Sequence, residues 1–321
     1  MYPSYLNIQE KELGKRIKKL FKILENCEVC PRKCHVNRLK ETTTHQPPSQ
    51  PSAGPLGYCQ LGFLPKVSAF HPHFGEESCL VGSGGSGAIF LTSCNLSCIY
   101  CQNFDISQLR IGEEVSFEKL AETMIKLQET GCHNINFVTP TPQVPQILKS
   151  LSIAIKKGLK IPLVYNTSSY DSIEVLKILD GIFDIYLPDA RYGDNKIAQK
   201  YSNAPNYFET MKEAIKEMHR QVGELQIADS NLKIDDLEIP KGVAIKGVLI
   251  RHLVLPNGLA CSEKIFEFLA NLSKNIATNI MDQYYPCYKA FEFPELSRRI
   301  TMEEYEEALN LARKYGLRIM S

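Results

Sequence analysis

The chain has 321 residues, of which 44% are hydrophobic and 23% charged, and its formal net charge is +1. These proportions are typical of a soluble globular protein, and the charge gives no electrostatic reason to expect nucleic acid or an anionic membrane as a partner. No stretch approaches the roughly 18 apolar residues that a membrane-spanning helix needs. The N-terminus is charged and lacks the apolar core of a signal peptide, so we expect a cytoplasmic protein.

The first predicted element is an amphipathic helix over residues 7–25. Cysteines cluster at 27–34, and residues 41–55 are rich in Pro, Ser and Thr, which predicts a flexible surface loop. From residue 88 onward, short apolar runs alternate with amphipathic segments. The predicted strands are 88–92, 134–138, 162–166, 183–187, 247–255 and 276–284. The predicted helices are 116–130, 143–157, 171–179, 205–221, 262–273 and 301–314.

This alternation indicates an α/β fold whose sheet is parallel and whose crossovers are right-handed, either open or closed into a barrel. Residues 224–246 interrupt the alternation, and we expect a β-hairpin or a loop inserted before the fifth strand. We predict two parts. Residues 1–78 form an N-terminal helix and a cysteine-rich metal-binding extension, and residues 79–321 form the α/β domain.

A group of three cysteines follows the first strand of the alternation. Cys94, Cys98 and Cys101 are spaced C-x3-C-x2-C, and Tyr100 precedes the last of them. Zinc sites usually take four ligands from paired C-x2-C units, and ferredoxin clusters take four thiolates. Three close thiolates suit instead a [4Fe–4S] cluster in which one iron is free for an exchangeable ligand. We expect Tyr100 to shield this cluster from water.

The motif resembles that of the radical S-adenosylmethionine (SAM) superfamily, C-x3-C-x-aromatic-C. From Cys79 onward the chain is similar to proteins of the pyruvate formate-lyase activating enzyme-like branch. The resemblance implies a partial (β/α)6 barrel over residues 79–321 and an oxidoreductase whose unique iron binds SAM. One electron, from a donor such as flavodoxin or ferredoxin, then cleaves SAM to a 5′-deoxyadenosyl radical. That radical abstracts hydrogen from a substrate, which in activating enzymes is a glycyl-radical enzyme. The alternative is a non-catalytic iron–sulfur or zinc protein that serves electron transfer or scaffolding.

Binding sites of parallel α/β proteins lie at the carboxyl ends of the strands, and the resemblance identifies candidate SAM ligands there. Thr139 stands in a Thr-Pro-Thr turn where many superfamily members have Gly-Gly-Glu, which receives the SAM amino group. Asn166 and Thr167 resemble part of an Asp-Thr-Asn segment near SAM. Asp189 and Arg191 resemble an Asp-x-Lys element that contacts SAM, in which a guanidinium is suited to the methionyl carboxylate.

Several of these residues have alternative interpretations. For Asp189 the alternative is a role as a helix N-cap. Arg251 faces into the barrel or outward according to the strand register, and its neighbour His252 then faces the other way, in a structural role. The segment HPHFGEE at 71–77 is expected to be a solvated loop, with substrate or proton-transfer groups at the barrel mouth as the alternative.

A second cysteine group precedes the α/β domain. Cys27, Cys30 and Cys34 are spaced C-x2-C-x3-C, and Cys59 supplies a fourth thiolate, with Cys79 as the rival for that place. A structural zinc would fasten an extension that is too short to build its own core. An auxiliary [4Fe–4S] cluster is the other interpretation.

Overall fold

The computed structural model describes residues 2–40, 55–234 and 237–320. Apart from residue 55, the loop predicted at 41–55 therefore lies outside the described residues. No helix within the described ranges combines the length and the apolar character needed to cross a membrane.

Each predicted helix and strand is present, with ends that differ by a few residues. The helices are α1 (Glu10–Leu24), α2 (Ser78–Val81), α3 (Phe104–Ser107), α4 (Phe117–Glu129), α5 (Val144–Lys156), α6 (Ile173–Ile178), α7 (Asn195–Ser202), α8 (Tyr207–Val222), α9 (Ser262–Leu272) and α10 (Met302–Lys314). The strands are β1 (Lys66–His73), β2 (Ser86–Leu91), β3 (Glu113–Glu114), β4 (Ile135–Val138), β5 (Leu163–Thr167), β6 (Ile185–Pro188), β7 (Gln226–Ile227), β8 (Leu232–Ile234), β9 (Leu237–Ile239), β10 (Ala244–Leu253), β11 (Ala277–Met281) and β12 (Arg318–Met320).

The main sheet has the strand order β12-β11-β10-β6-β5-β4-β2-β1-β3. Neighbouring strands from β12 to β2 are parallel, which confirms the predicted α/β fold. The antiparallel strand β1, which falls in the predicted N-terminal extension, pairs with β2 and extends the sheet. β8 and β9 form the hairpin expected in 224–246.

Helices α4 and α8 pack against the strands of this sheet. In α4, Ser116 caps the helix by accepting a hydrogen bond from the Lys119 N–H, and Leu120, Met124 and Leu127 lie buried at helical spacing. A cap of this kind stabilises a helix by about 1 kcal/mol. Burial of each such apolar side chain adds about 1.5–3 kcal/mol, so packing on the sheet outweighs capping in placing the helix.

The two faces of β10 differ in chemistry because successive side chains of a strand point to opposite faces. His252 faces the helices, where its ring nitrogens lie 2.7 Å from the Ala190 carbonyl oxygen and 2.8 Å from the Ser262 hydroxyl. This confirms its structural role. Arg251 consequently faces the opposite side of the sheet, here called the interior, and so does Leu249 two residues earlier.

Candidate active site

The loop that follows β2 carries the three cysteines, with Cys98 buried and the other two half-buried. The Leu96 N–H donates to the Cys94 sulfur at 3.3 Å, and the Ser107 hydroxyl lies 3.1 Å from the Cys101 sulfur. Burial raises the pKa of Cys94 to about 12 and that of Cys101 to about 11, and the neighbouring Cys98 raises both. The three sulfurs therefore lie close enough to influence one another.

These thiols are not pre-arranged around a metal. Among residues 2–40, 55–234 and 237–320, no group of three or more His, Cys, Asp or Glu side chains has the arrangement of metal ligands. Three clustered thiols in a partly dry loop are costly to ionise alone, and a metal centre that replaces their protons removes this cost. The donor set fits a cluster held by three thiolates.

A chain of hydroxyl groups leads from Tyr100 to the Cys98 sulfur. The Tyr100 hydroxyl bonds the Tyr192 hydroxyl, which lies 2.7 Å from the Ser202 hydroxyl. Ser202 in turn donates to the Cys98 sulfur at 3.0 Å. Tyr100 and Tyr192 are both buried, so the aromatic rings shield this sulfur while the hydroxyl groups solvate it. Hydrogen bonds to sulfur tune the potential of an iron–sulfur cluster.

Four of the residues predicted at strand ends meet in one charged network. Arg251 donates from Nε to Asp189 Oδ1 at 2.9 Å and from Nη2 to Asn166 Oδ1 at 2.6 Å. Arg191 donates from Nη2 to the other carboxylate oxygen of Asp189 at 2.5 Å, and its Nη1 lies 3.8 Å from the Cys98 sulfur. The network thus connects the ends of β5, β6 and β10 with the cysteine loop.

The Asp189 carboxylate is the centre of this network. Burial alone would raise the pKa of Asp189, but Arg251 and Arg191 outweigh burial and hold that pKa below its ordinary value. The alternative interpretation of Asp189 as a helix cap is wrong, because α7 is capped by Asp194, which accepts from the Lys196 and Ile197 N–H groups.

Thr139 and Thr167 lie beside the network without joining it through their side chains. Thr139 has a φ of 63°, and its N–H donates to the Asn166 carbonyl oxygen at 2.9 Å. The Thr167 hydroxyl donates to the buried Asp171 carboxylate at 2.6 Å, which the Thr141 hydroxyl also contacts at 2.7 Å. Any contact of these two residues with SAM stays a prediction.

A cavity of about 200 Å³ lies between the cysteine loop and the charged network. Tyr100 and Cys101 form one side of it, and Asp189, Arg191 and Arg251 form another. Met281, Gln283 and Tyr284, which sequence reasoning did not identify, come from the end of β11 and the residues after it. A ligand in this cavity meets both a cysteine of the motif and two guanidinium groups.

The segment predicted as a solvated loop at 71–77 is different in the structure. His71 and His73 belong to strand β1, so the prediction of a loop is wrong there. Glu76 is nearly buried, with 10% of its side chain exposed, and its Oε2 lies 3.4 Å from Arg251 Nη1. Its Oε1 accepts from Asn166 Nδ2 at 3.4 Å. Glu76 therefore joins the charged network.

The N-terminal cysteines form a second cluster. Burial raises the pKa of Cys30, and the nearby Cys59, Cys27 and Cys34 raise it as well, so these four thiols are neighbours. Gly57 permits this approach, because a Cβ there would lie 3.1–3.2 Å from Cys34 atoms at a φ of +80°. Gly has no Cβ and adopts such a φ without strain.

Cys79, the rival for the fourth place, lies elsewhere. It is buried in an apolar cluster inside the sheet with Leu80, Val164 and Leu249. The structure therefore groups Cys59, and not Cys79, with the three N-terminal cysteines.

Arg38 is fully buried beside this cluster. Its Nε donates to the Leu61 carbonyl at 2.8 Å, and its Nη1 donates to the Pro142 carbonyl at 2.9 Å and lies 3.9 Å from the Cys27 sulfur. Nη2 is buried without a partner, and within the described ranges no carboxylate pairs with this guanidinium. Burial lowers the pKa of Arg38, but Cys59 and Cys27 outweigh it and hold that pKa above its ordinary value.

The two cysteine groups are in direct contact through the residues next to them. Arg32 donates from Nε to the Asn95 carbonyl at 2.8 Å, and its guanidinium lies 3.8 Å from the centre of the Tyr58 ring. The Ser93 hydroxyl donates to the Cys59 carbonyl oxygen. The N-terminal cysteine loop is thus packed against the loop that carries the three-cysteine motif.

Several known proteins are similar to this chain in sequence or in fold. The sequence profile of the Radical SAM superfamily matches residues 88–230. The Uncharacterized protein MJ0674 of Methanocaldococcus jannaschii is 36% identical over 304 residues, which are 92% of this chain and 76% of that protein. Solved structures similar in fold include TYW1 with a lysine-pyruvate adduct bound (12% identity, TM-score 0.43, 71% of this chain and 72% of that one). Methylornithine synthase (PylB) is another (12% identity, TM-score 0.44, 72% and 70%).

Proposed function

This chain carries a radical SAM superfamily domain over residues 88–230, and on that premise we propose that Cys94, Cys98 and Cys101 hold its [4Fe–4S] cluster. When bound, the reduced cluster supplies the electron that cleaves SAM to the hydrogen-abstracting 5′-deoxyadenosyl radical. The observation that supports the assignment is the shared cavity, because its walls combine Cys101 with the guanidinium groups of Arg191 and Arg251.

The charged network is suited to hold the methionyl part of SAM. We assign the carboxylate of SAM to Arg191 and Arg251, since guanidinium groups bind carboxylates with paired hydrogen bonds. Asp189 keeps both guanidinium groups oriented toward the cavity, and Asn166 fixes Arg251 from the other side. These residues therefore position the ligand before any chemistry takes place.

Other side chains near the three cysteines control the access of water to the cluster and the reduction potential of the cluster. Tyr100 is buried and excludes water from the cluster on one side. The hydroxyl chain through Tyr192 and Ser202 donates to the Cys98 sulfur and stabilises its negative charge. Gln102 and Asn103 beside Cys101 are exposed, and we propose that a donor such as flavodoxin or ferredoxin delivers its electron at this edge.

We also propose that Cys27, Cys30, Cys34 and Cys59 bind a second metal centre. A buried cation requires a nearby anion, and the described neighbours of Arg38 provide only these thiols. A zinc ion or a [4Fe–4S] cluster with four thiolates carries a net charge of about −2 and supplies that anion. Metal analysis of anaerobically purified protein separates the two. Zinc near one equivalent with about four irons indicates zinc, and about eight irons without zinc indicates an auxiliary cluster.

A glycyl-radical enzyme as the substrate has weaker support. It rests on the resemblance of the cysteine motif to activating enzymes, and the Thr-Pro-Thr turn at Thr139 departs from the Gly-Gly-Glu of many superfamily members. We propose it as one candidate protein substrate. Incubation of the reduced enzyme and SAM with a glycyl-radical enzyme supports this candidate if a glycyl radical signal develops, and absence of that signal removes it.

The proposed chemistry is tested by incubating the reconstituted protein with dithionite and SAM and measuring 5′-deoxyadenosine. We expect 5′-deoxyadenosine from the wild-type protein and none from Cys98→Ala, because the cluster loses one of its three cysteine ligands. Cys132→Ala is the matched control, since Cys132 is also buried but lies outside both cysteine groups. Product from Cys98→Ala, or none from the wild type, refutes the assignment, and the latter result favours a non-catalytic metal protein.

A further inference from the structure

A second cavity, of about 280 Å³, adjoins the cavity at Cys101 and shares Arg251, Met281 and Gln283 with it. Residues 75–79 form one wall of the second cavity, and Leu249 and Asn279 of the sheet form another. Since the first cavity is assigned to SAM, a molecule in the second one lies directly beside SAM. This is the position that the substrate of a hydrogen abstraction requires.

The second cavity contains two adjacent carboxylates. Glu76 approaches Arg251 at 3.4 Å, as described above. Glu77 accepts at Oε1 from the Asn279 side-chain amide at 3.1 Å, while its Oε2 is buried and receives no hydrogen bond from the described residues. Burial raises the pKa of Glu76 to about 7, and the neighbouring Glu77 also raises it. Arg251 opposes this effect, since its positive charge lowers the pKa of Glu76.

Asn136 is a buried polar residue on the same face of the sheet. Among the described residues, neither its amide nitrogen nor its amide oxygen has a hydrogen-bond partner. In the register of the sheet, Asn136 is paired with Val164, which belongs to the apolar cluster inside the sheet together with Cys79 and Leu249. Cys79 and Leu249 line the second cavity, so Asn136 faces the same interior. Buried polar groups of native proteins are nearly always hydrogen-bonded.

When Glu76 is ionised, the three carboxylates of the interior outnumber its two guanidinium groups. Arg251 is paired with Asp189 and with Glu76, and Arg191 is paired with Asp189. Within the described ranges, Glu77 forms no ion pair. Glu77 is near enough to Arg251 to raise the pKa of that guanidinium, and a charge-assisted hydrogen bond to a cationic ligand would stabilise the Glu77 carboxylate further.

We propose that the second cavity binds the substrate through a protonated primary amine, which Glu77 holds with the help of Glu76. This inference rests on the proposed function, because the adjoining cavity must be the SAM site. The amine belongs either to a small molecule or to a lysine side chain of a protein substrate. Both sources present the same ammonium group to Glu77.

Calorimetric titration of the oxidised, reconstituted protein tests the binding without turnover. The probes are n-butylammonium and its isosteres n-butanol and butanoate, each added both with and without SAM. We expect n-butylammonium alone to bind, and Glu77→Gln to weaken it about tenfold or more, because a hydrogen bond between charged groups is lost. Glu118→Gln, at an exposed position, is the matched control.

Two further titrations use the same oxidised, reconstituted protein. Ser78→Lys, at an exposed position on the cavity wall, brings its own ammonium group and is expected to abolish n-butylammonium binding. The tripeptides Gly-Lys-Gly and Gly-norleucine-Gly separate the sources. Binding of the lysine peptide supports a protein substrate, and binding of n-butylammonium without it supports a small molecule.

The inference is overturned if n-butylammonium does not bind, if Glu77→Gln binds it as well as the wild type, or if SAM abolishes its binding. The last result would assign Glu77 to the amino group of SAM. These outcomes are separable from the cleavage assay, because the titration needs no reduction. If the amine binds and the reduced wild type forms no 5′-deoxyadenosine, the proposed function fails while the ammonium site stands.

Perdeuterated n-butylammonium, added to the reduced enzyme with SAM, tests whether the bound amine lies within reach of the 5′ carbon. The 5′-deoxyadenosyl radical breaks a carbon–deuterium bond of the amine. The deuterium and one electron of that bond go to the 5′ carbon, and the other electron stays on the carbon of the amine that lost the deuterium. We expect deuterium in the 5′-deoxyadenosine, measured by mass spectrometry, and none from perdeuterated butanoate. Equal labelling by both probes contradicts recognition of the ammonium group.

Discussion

Asp189→Asn removes the charge that balances two partly buried guanidinium groups. Asp189 contacts Arg191 at 2.5 Å and Arg251 at 2.9 Å, and the exposed fractions of the three side chains are 9%, 27% and 17%. Breaking a buried ion pair on one side costs about 3–5 kcal/mol. We expect a loss at the lower end of this range, about 3 kcal/mol, because Arg251 retains its ion pair with Glu76 and Arg191 is partly hydrated.

Urea denaturation of the metal-free protein at pH 7 measures this loss in the free energy of unfolding. The sign of its pH dependence follows from the lowered pKa of Asp189. Because the folded pKa lies below the unfolded one, the carboxylate stabilises the protein at neutral pH. The difference between wild type and variant should therefore shrink as the pH falls below about 4 and through the folded pKa.

Asp180→Asn is the matched control for this prediction. Asp180 pairs with Arg220 at 2.7 Å, but 42% and 55% of these side chains are exposed. Exposed pairs contribute about 0–1 kcal/mol, so we expect a change of that size. If Asp189→Asn costs no more than Asp180→Asn, the charged network does not hold the site together and the reasoning is refuted.

Two further predictions concern the second cysteine cluster and two buried titratable groups. Cys59→Ala should lower the metal content of the purified protein, measured by mass spectrometry of the elements, whereas Cys79→Ala should not. Burial lowers the pKa of His252 to about 4, so the stability that His252 contributes is lost as the pH falls from 7 to 5, by about 2 kcal/mol. Burial raises the pKa of Asp184 to about 6, so its contribution is lost as the pH rises from 5 to 7, by about 1 kcal/mol. Urea denaturation of His252→Asn and Asp184→Asn at both pH values should show a cost that shrinks at pH 5 for the first variant and grows for the second.

For each of these predictions, one experimental result would contradict it. Equal metal loss from both cysteine variants would mean that the grouping of Cys59 with the N-terminal cysteines is wrong. A cost that is the same at pH 5 and pH 7 would show that His252 or Asp184 is not buried as described.

The fold was largely predictable because its signals are local. The first apolar run was predicted as 88–92 and forms β2 (Ser86–Leu91), and the C-x3-C-x2-C spacing lies in the loop after it. The elements that sequence reasoning missed are short or atypical. β1 contains Pro72 and two histidines, which are unusual in a strand, and β12 has three residues. Helix α7 had a usable signal in Asp194, which begins it as an N-cap.

The grouping of distant residues was less predictable. Glu76 lies 175 positions from Arg251, and nothing in the sequence around it indicates that it is buried against a guanidinium group. The choice between Cys59 and Cys79 likewise depends on where the chain folds back. Periodicity predicts the face of a strand or helix, whereas contacts between distant segments depend on packing of the whole interior.

The central claim is that Cys94, Cys98 and Cys101 hold a cluster with one iron open to SAM. Electron paramagnetic resonance of the anaerobically reduced protein tests it most directly, with spectra recorded before and after SAM is added. We predict a [4Fe–4S] signal whose shape changes on addition of SAM and which Cys98→Ala lacks. A signal indifferent to SAM, or zinc in place of iron at these cysteines, would contradict the account.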